Sequence, residues 1–315
     1  MGGRADWADN TKISRKAVER GYTQIGTLGS GNHYLEIQWV KPENIKDERI
    51  AKKWGIFPDQ IVIMYHCGSR GMGHQVATDY LQVFLNVMQR KYGIKILDRE
   101  LACAPFFSPE GQDYWKAMAC GVNMSFANRQ VILHRIREVF SSVFRKDPED
   151  LGLHMVFDIA HNRASFEKHE VDGELKELLI HRKGATASYY PGRPELPDLY
   201  KEDGSPVIIG GSMETGSYLL VGNEGAKETF ASTCHGSGRT MSRAKAVKTY
   251  GRSIKQHLQR LFEERGIYIK SVSWAGAAEE VGAAYKNIDE VIEVVHQLKI
   301  SRKVVKLIPI GNIKG

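Results

Sequence analysis

The chain has 315 residues, of which 42% are hydrophobic and 26% are charged, a composition typical of a globular protein with one large or two smaller cores. Its formal charge of +7 weakly favours a polyanionic or phosphate-bearing partner. The four cysteines form no CxxC pair, which excludes a zinc knuckle, and no apolar run reaches the ~20 residues of a membrane helix. We therefore expect a soluble protein of the cytoplasm or nucleus, with no membrane partner.

The first predicted elements are a short basic helix over residues 10–21 and a glycine-rich loop that leads into a strand. The loop covers residues 26–33, and residues 34–40 alternate apolar and polar side chains as a strand does. His33 and Glu36 therefore lie where a loop enters a strand, a common place for site residues. The same glycines are also compatible with a plain turn.

Two more apolar runs, each predicted to be a buried strand, end at a histidine. Residues 60–65 lead to His66 and to a second glycine loop that contains Arg70, and residues 153–160 lead to His161 and Asn162. Together with His33, these imidazoles suit divalent metals such as Zn, Mn, Fe or Ni. The alternative is three core histidines that are satisfied by hydrogen bonds, because their spacing does not prove that they converge.

The remaining pattern predicts alternating helices and strands. Glycine-bounded amphipathic spacing predicts helices, and short apolar runs between turn residues predict strands. The predicted helices cover residues 76–92, 113–144, 241–265 (strongly basic) and 288–298; the predicted strands cover residues 171–184, 206–222 (two strands around a glycine turn), 267–272 and 304–314, and residues 189–205 are predicted to be an exposed loop.

A different pattern surrounds His235, which lies in the sequence TCHGSGR of residues 233–239. Glycines without Cβ let backbone N–H groups approach and cradle phosphate oxygens, and the Arg239 guanidinium adds charge-assisted hydrogen bonds. A histidine in such a loop suits either a metal ligand or a nucleophile toward phosphorus. A glycine turn with a surface histidine is the plainer alternative.

These elements predict an α+β fold with mixed sheets and helices around one central cleft. We expect a short basic N-terminal segment over residues 1–25 and a catalytic domain over residues 26–315.

Eight short motifs in this order resemble the RtcB family of GTP- and manganese-dependent RNA ligases, and the match runs from about residue 26 to the end. Each motif alone is weak, whereas so many of them in this order make a chance resemblance very unlikely. The motifs are residues 29–36 (GSGNHYLE), 66–75 (HCGSRGMGHQ), 161–162 (HN), 181–186 (HRKGAT), 211–213 (GSM), 234–239 (CHGSGR), 284–286 (AYK) and 313–315 (IKG).

The resemblance implies a role for each matching residue. His235 is similar to the nucleophile that becomes guanylylated by GTP, and His33, His66 and His161 are similar to the manganese ligands. The implied GTP-binding residues are Asn32, Asn162, Gly236, Ser237, Gly238 and Arg239 at the phosphates, Glu36, Ser217, Tyr285 and Lys314 at the guanine, and Ser212 and Met213 beside them; Arg70, Arg239 and Arg243 are the implied RNA-binding residues.

The implied reaction transfers GMP from His235 to an RNA 3′-phosphate, after hydrolysis of a 2′,3′-cyclic phosphate where one is present. A 5′-hydroxyl then displaces GMP and seals the strand, as in tRNA splicing and RNA repair. The implied partners are tRNA halves or other cleaved RNA, an archease-like activator and a tRNA ligase complex.

One departure from the family concerns the N-terminus. Family members are longer there, and that part contributes an aspartate and a cysteine to a site with two manganese ions. We therefore expect an incomplete second metal site and weak or absent ligation by this chain alone. Two other interpretations stay open: a truncated, non-catalytic remnant that binds GTP or RNA, and a metal-dependent phosphohydrolase.

Overall fold

A computed structural model describes residues 4–314, which form an α+β fold and confirm the predicted class. Residues 1–3 of the predicted N-terminal segment and Gly315 of the last motif lie outside the described residues. The described chain forms two compact units, the first from residues 28–66 and 155–314 and the second from residues 4–27 and 67–154. The functional boundary between residues 25 and 26 stays a prediction.

The helices are α1 (Arg15–Tyr22), α2 (Glu48–Lys53), α3 (Arg70–Tyr92), α4 (Pro109–Phe144), α5 (Asp198–Lys201), α6 (Arg243–Tyr250), α7 (Ile254–Arg265), α8 (Trp274–Glu279) and α9 (Ile288–Gln297). The strands are β1 (Tyr34–Trp39), β2 (Ile61–His66), β3 (Asn162–Val171), β4 (Glu174–Lys183), β5 (Ala185–Ala187), β6 (Pro206–Gly210), β7 (Ser217–Gly222), β8 (Ser232–Cys234), β9 (Tyr268–Ser271) and β10 (Ser301–Lys314).

A six-stranded sheet organises the first unit, with the strand order β2-β1-β10-β7-β6 and with β9 paired to β10. Strand β7 lies between β10 and β6 and is buried along its whole length. Its alternate residues point to opposite faces: Leu219 and Val221 pack into one core, and Tyr218 and Leu220 pack into the other. The sheet is therefore covered on both faces.

The register of this sheet brings the ends of three strands together. Tyr34 at the start of β1 pairs with His66 at the end of β2 and with Lys314 at the end of β10. Because paired residues on neighbouring strands lie side by side, residues far apart in the sequence meet at this edge.

The strand predicted over residues 153–160 is wrong. Within residues 4–314 this segment forms no strand, although Val156, Phe157 and Ile159 pack against the larger core. The apolar side chains of this segment thus pack against the core, although its backbone pairs with no strand. His161 precedes β3, a strand that forms a ten-residue hairpin register with β4; β4 lies within the region predicted as a strand, whereas β3 was not predicted.

The exposed loop predicted over residues 189–205 is also wrong. Tyr189, Arg193, Leu196 and Tyr200 are all buried, and the short helix α5 lies in this segment. The prolines, glycines and charges of this segment therefore predicted its irregular backbone correctly, but they did not predict solvent exposure of its side chains.

Helices α1, α3 and α4 build the second unit. The glycine loop predicted after His66 is instead the start of α3, which begins at Arg70 rather than near residue 76. A Cβ on Gly121 would lie 3.6 Å from the Cα of Gly73, so these glycines allow α3 and α4 to pack closely. No helix within residues 4–314 has the length and apolarity needed to cross a membrane.

Candidate active site

Four imidazoles converge in the first unit, and we call His33, His66, His161 and His235 the imidazole cluster. The ring centroids of His66 and His161 are 4.8 Å apart, those of His161 and His235 are 4.4 Å apart, and those of His33 and His66 are 5.7 Å apart. The Nε2 atoms of His66 and His161 lie 2.7 Å apart, which is a hydrogen-bond distance. The structure thus brings together all four histidines that the sequence analysis singled out.

The cluster favours neutral imidazoles. Burial lowers the pKa of His66 well below its ordinary value of 6.5, and the neighbouring histidines lower it further. Burial is also the main cause that lowers the pKa of His235. A neutral imidazole has one lone pair on its ring, so it can bind a metal or attack an electrophile.

The donor types of this cluster fit a borderline divalent metal, because neutral imidazole is a ligand of Mn, Zn, Fe and Ni. Within residues 4–314, however, no three His, Cys, Asp or Glu side chains are already arranged around one point as a ligand set. These residues therefore fit a metal through the chemistry of their donor atoms and not through a preformed ligand geometry. The short contact between His66 and His161 shows that these two ring nitrogens face each other.

His235 follows β8 and begins the glycine loop. The backbone of Gly184 lies beside its ring and raises the pKa of His235, against the larger effect of burial. In the neutral ring one nitrogen carries a proton and the other carries the lone pair. Strand β8 is held by its antiparallel pairing with β5, in which Cys234 faces Ala185.

The glycine loop is fixed by backbone contacts on both sides. The Ser237 N–H donates to the Gly210 oxygen at 2.9 Å, and the Lys286 N–H donates to the Gly238 oxygen at 2.9 Å. Gly238 has φ +78°, a conformation that favours glycine. The Ser237 amide is thus already engaged, so the cradle predicted from successive N–H groups is only partly available.

A second buried group lies at the ends of β1 and β10, and we call Glu36, Arg239, Glu280, Tyr285 and Lys314 the carboxylate network. Glu36 accepts hydrogen bonds from Gln38 and Asn312. Burial raises its pKa to about 7, in spite of the opposing attraction of Lys314 and these hydrogen bonds. Burial also lowers the pKa of Lys314, which the carboxylates of Glu280 and Glu36 oppose.

Glu280, which the sequence analysis missed, is the centre of this network and only 2% exposed. Its carboxylate lies 3.2 Å from Arg239, 3.6 Å from Arg243 and 3.7 Å from Lys314, and it accepts a short hydrogen bond from the Tyr285 hydroxyl. One buried anion therefore faces three cations. No spacing signal distinguishes it from Glu279, and only its place in an alanine-rich segment hints at burial.

Arg239 is held almost entirely by protein groups. It donates to the Tyr285 hydroxyl at 3.0 Å, to the Met241 oxygen at 3.0 Å and to the Glu279 oxygen at 2.6 Å, beside its contact with Glu280. Its guanidinium also lies 4.8 Å from the centre of the Tyr285 ring. This arrangement fixes Tyr285, and a phosphate contact by Arg239 stays a prediction.

The other predicted residues occupy varied positions. Asn162 is exposed at the start of β3, whereas Ser212, Met213 and Ser217 are buried in and after the turn between β6 and β7. Ser217 is near enough to Glu36 to lower its pKa slightly. Asn32 is half-buried in the loop before β1, Arg243 begins α6, and Arg70 belongs to the second unit, where its Nε donates to Thr27.

A buried ion pair supports the segment that leads to His235. Arg182 makes a bidentate contact with Glu167 and donates to the Ser232 hydroxyl at 2.9 Å and to the Phe230 oxygen at 3.0 Å. The basic motif of residues 181–186 therefore lies only partly on the protein surface, because Arg182 is 3% exposed.

Comparison with known proteins identifies the family. A family model described as tRNA-splicing ligase RtcB matches residues 1–315. The chain belongs to the RtcB family. Proteins named tRNA-splicing ligase RtcB are 52% identical in Archaeoglobus fulgidus, over 96% of this chain, 50% identical in Pyrococcus furiosus, over 100% of it, and 47% identical in Thermococcus kodakarensis, also over 100% of it.

The α+β fold is consistent with an RtcB-like fold. The chain spans 62% of the Archaeoglobus relative, 32% of the Pyrococcus relative and 64% of the Thermococcus relative. The similarity thus covers nearly all of this chain but only part of each relative.

Proposed function

We propose that this chain carries the catalytic centre of an RNA ligase that joins RNA 3′-phosphate or 2′,3′-cyclic phosphate ends to 5′-hydroxyl ends. The observation that carries the proposal is the neutral His235 beside three further imidazoles and a glycine loop. Identity of about 50% to RtcB ligases over nearly the whole chain supports the same activity and does not favour a non-catalytic remnant.

The proposed first step uses the lone pair of His235. The unprotonated ring nitrogen attacks the α-phosphorus of GTP; a P–N bond forms and the bond to the leaving pyrophosphate breaks. The RNA 3′-phosphate next takes the guanylyl group from His235. The 5′-hydroxyl then attacks the 3′-phosphorus, and GMP leaves.

The proposed metal ligands are His33, His66 and His161. Manganese bound there would neutralise phosphate charge and align the reacting groups. The depressed pKa of His66 keeps this ring in the form that binds a metal.

We propose that the guanine lies against Glu36, Ser217, Tyr285 and Lys314, whose side chains are already ordered around Glu280 and β1. Ser212 and Met213 border this position, and Met213 takes part through its backbone because its side chain is buried. Arg239 positions Tyr285. Asn32, Asn162 and the glycine loop are proposed to contact the phosphates.

The RNA substrate, whether tRNA halves or another cleaved RNA, stays a prediction, as do Arg70 and Arg243 as RNA contacts. An archease-like activator, a tRNA ligase complex and a cytoplasmic or nuclear location are likewise predictions.

Labelling with radioactive GTP and manganese tests the proposal, on the protein in the full length that its gene encodes. We expect a protein-bound label that is acid-labile and base-stable, as a phosphohistidine bond is. His235→Ala should abolish it, whereas His134→Ala, a control on the exposed helix face of the second unit, should not. The same wild-type protein should ligate an RNA 3′-phosphate to a 5′-hydroxyl.

Two outcomes would support other functions. RNA binding without any label favours the non-catalytic remnant. Inorganic phosphate release without a protein adduct favours the metal-dependent phosphohydrolase.

A further inference from the structure

A long stretch without acidic residues follows the active-site histidine. Between Glu228 and Glu263 the chain has no Asp or Glu but has seven Lys and Arg residues. The structure folds this stretch into the glycine loop, α6 and most of α7. Its basic residues beyond Arg243 have no role in the proposed ligation chemistry.

Helix α6 packs by one side and exposes its cations on the other. Ala246 is fully buried, and together with the partly buried Tyr250 it packs against Val281 and Ala284. Lys245 and Lys248 are exposed, and so are Arg252 and Lys255 after the helix. Within residues 4–314, none of these four cations lies within 4 Å of a carboxylate, so the charge on this surface is not neutralised locally.

An exposed aromatic ring borders the same surface. Trp274 at the start of α8 is 53% exposed, and the Lys255 ammonium lies 4.8 Å from the centre of its ring. Helices α7 and α8 are joined below this contact by the packing of Ile254 against Ala277 and Ala278. A large exposed ring beside unpaired cations suits a partner with both phosphates and stacking bases.

The surface is continuous with the candidate active site. Arg243, the first residue of α6, comes so close to the loop that carries His33 that a Cβ on Gly31 would lie 3.3 Å from its guanidinium. Tyr285 of the carboxylate network also packs against α6. A strand whose end reacts at His235 can therefore continue along α6.

We infer that Lys245, Lys248, Arg252, Lys255 and Trp274 form a binding surface for single-stranded RNA next to the reacting end. The cations bind backbone phosphates, and Trp274 stacks on a base. A single strand is favoured over a duplex because the bases within a duplex are stacked on one another and offer no free face to an exposed ring. This inference rests on the proposed function, since it takes the RNA end to lie at His235.

The test compares two triple variants that remove the same charge. K245Q/K248Q/K255Q removes lysines of the surface, and K52Q/K168Q/K201Q removes lysines of α2, β3 and α5 in the same unit; Lys52, Lys168 and Lys201 have no carboxylate within 4 Å among residues 4–314. Binding of a short single-stranded RNA with a 3′-phosphate is followed by fluorescence anisotropy over a range of salt concentrations. Thermal unfolding of each variant verifies the fold.

We expect the surface variant to lose affinity on the order of 100-fold at 0.1 M salt, with a slope of log affinity against log salt that is less steep by about 2. The control variant should keep both. Trp274→Ala should weaken binding about tenfold with an unchanged salt slope, and Trp274→Phe should restore most of the loss.

Equal affinities of the two folded triple variants would overturn the inference. Equal losses for single-stranded and duplex RNA in Trp274→Ala would overturn the stacking role. GTP labelling of the wild-type protein distinguishes a failure of this inference from a failure of the proposed function. If the wild type is labelled but K245Q/K248Q/K255Q binds RNA as well as wild type does, the proposed function stands and only the RNA-binding surface is refuted.

Discussion

The imidazole cluster and the carboxylate network both lie in the first unit, but they differ in their electrostatics. In the carboxylate network the Glu280 carboxylate faces Arg239, Lys314 and the neighbouring Arg243, so opposite charges attract one another within the protein. The imidazole cluster brings together four like groups, and burial lowers the pKa of two of them, His66 and His235. The carboxylate network is therefore held together by its own charges, whereas the imidazole cluster is suited to a cation from outside.

The largest expected effect is in the carboxylate network. Glu280→Ala should lower the free energy of unfolding by about 3–5 kcal/mol, because it leaves the buried Lys314 and the half-buried Arg239 without this anion. Urea unfolding measures the change. Glu279→Ala is the control: its carboxylate is 31% exposed and lies 3.8 Å from Arg243, so it should cost less than about 1 kcal/mol. Similar losses in the two variants would contradict the central place of Glu280.

Stabilisation by a metal should depend on the imidazole cluster and not on the carboxylate network. Manganese at about 100 times its dissociation constant should raise the free energy of unfolding by about 2.7 kcal/mol. His66→Gln should remove this gain, because the ligand set loses a ring nitrogen. An unchanged gain in His66→Gln would place the metal away from the imidazole cluster.

The pH dependence of Glu36 gives a third effect. Its pKa is about 7 in the folded protein and ordinarily 4.5, so the folded state holds a proton that the unfolded state releases, and stability falls as the pH rises through this window. Glu36→Gln should remove this dependence. Between pH 5 and pH 8, its free energy of unfolding should therefore rise by about 2.5 kcal/mol relative to that of wild type. Parallel stability curves for the two proteins would show that Glu36 ionises normally.

His66 should give a smaller effect of the opposite sign. Its pKa is lowered in the folded protein, so the unfolded state takes up a proton first, and stability is lost as the pH falls below 6.5. Without metal, wild type should lose about 1–2 kcal/mol more than His66→Gln between pH 7.5 and pH 5. If both proteins respond equally to acid, burial does not hold this ring neutral.

The sequence predicted the imidazole cluster better than it predicted the network. Histidines at the ends of apolar runs and in a glycine loop are local signals, and all four of these residues meet. Glu280 gives no such signal, because its partners come from residues 239, 243, 285 and 314 and meet only through tertiary packing. The resemblance to the family pointed to Lys314, which residue pattern alone would leave as a frayed surface charge.

The fold shows the same limit. Strands such as β1, β2 and β7 were predicted because their apolar patterns coincide with sheet pairing. The apolar run over residues 153–160 packs into the core without pairing, and Gly71 and Gly73 of the predicted loop lie within a helix. Apolar pattern reports burial, and the sheet register that joins Tyr34, His66 and Lys314 is set by strands far apart in the chain.

The most direct test of the central claim is to locate the guanylyl group by mass spectrometry after incubation of the protein with GTP and manganese. The account predicts a GMP adduct on His235, in the peptide that contains residues 233–239. An adduct on a lysine such as Lys183 or Lys286, or none on a protein that still ligates RNA, would contradict it.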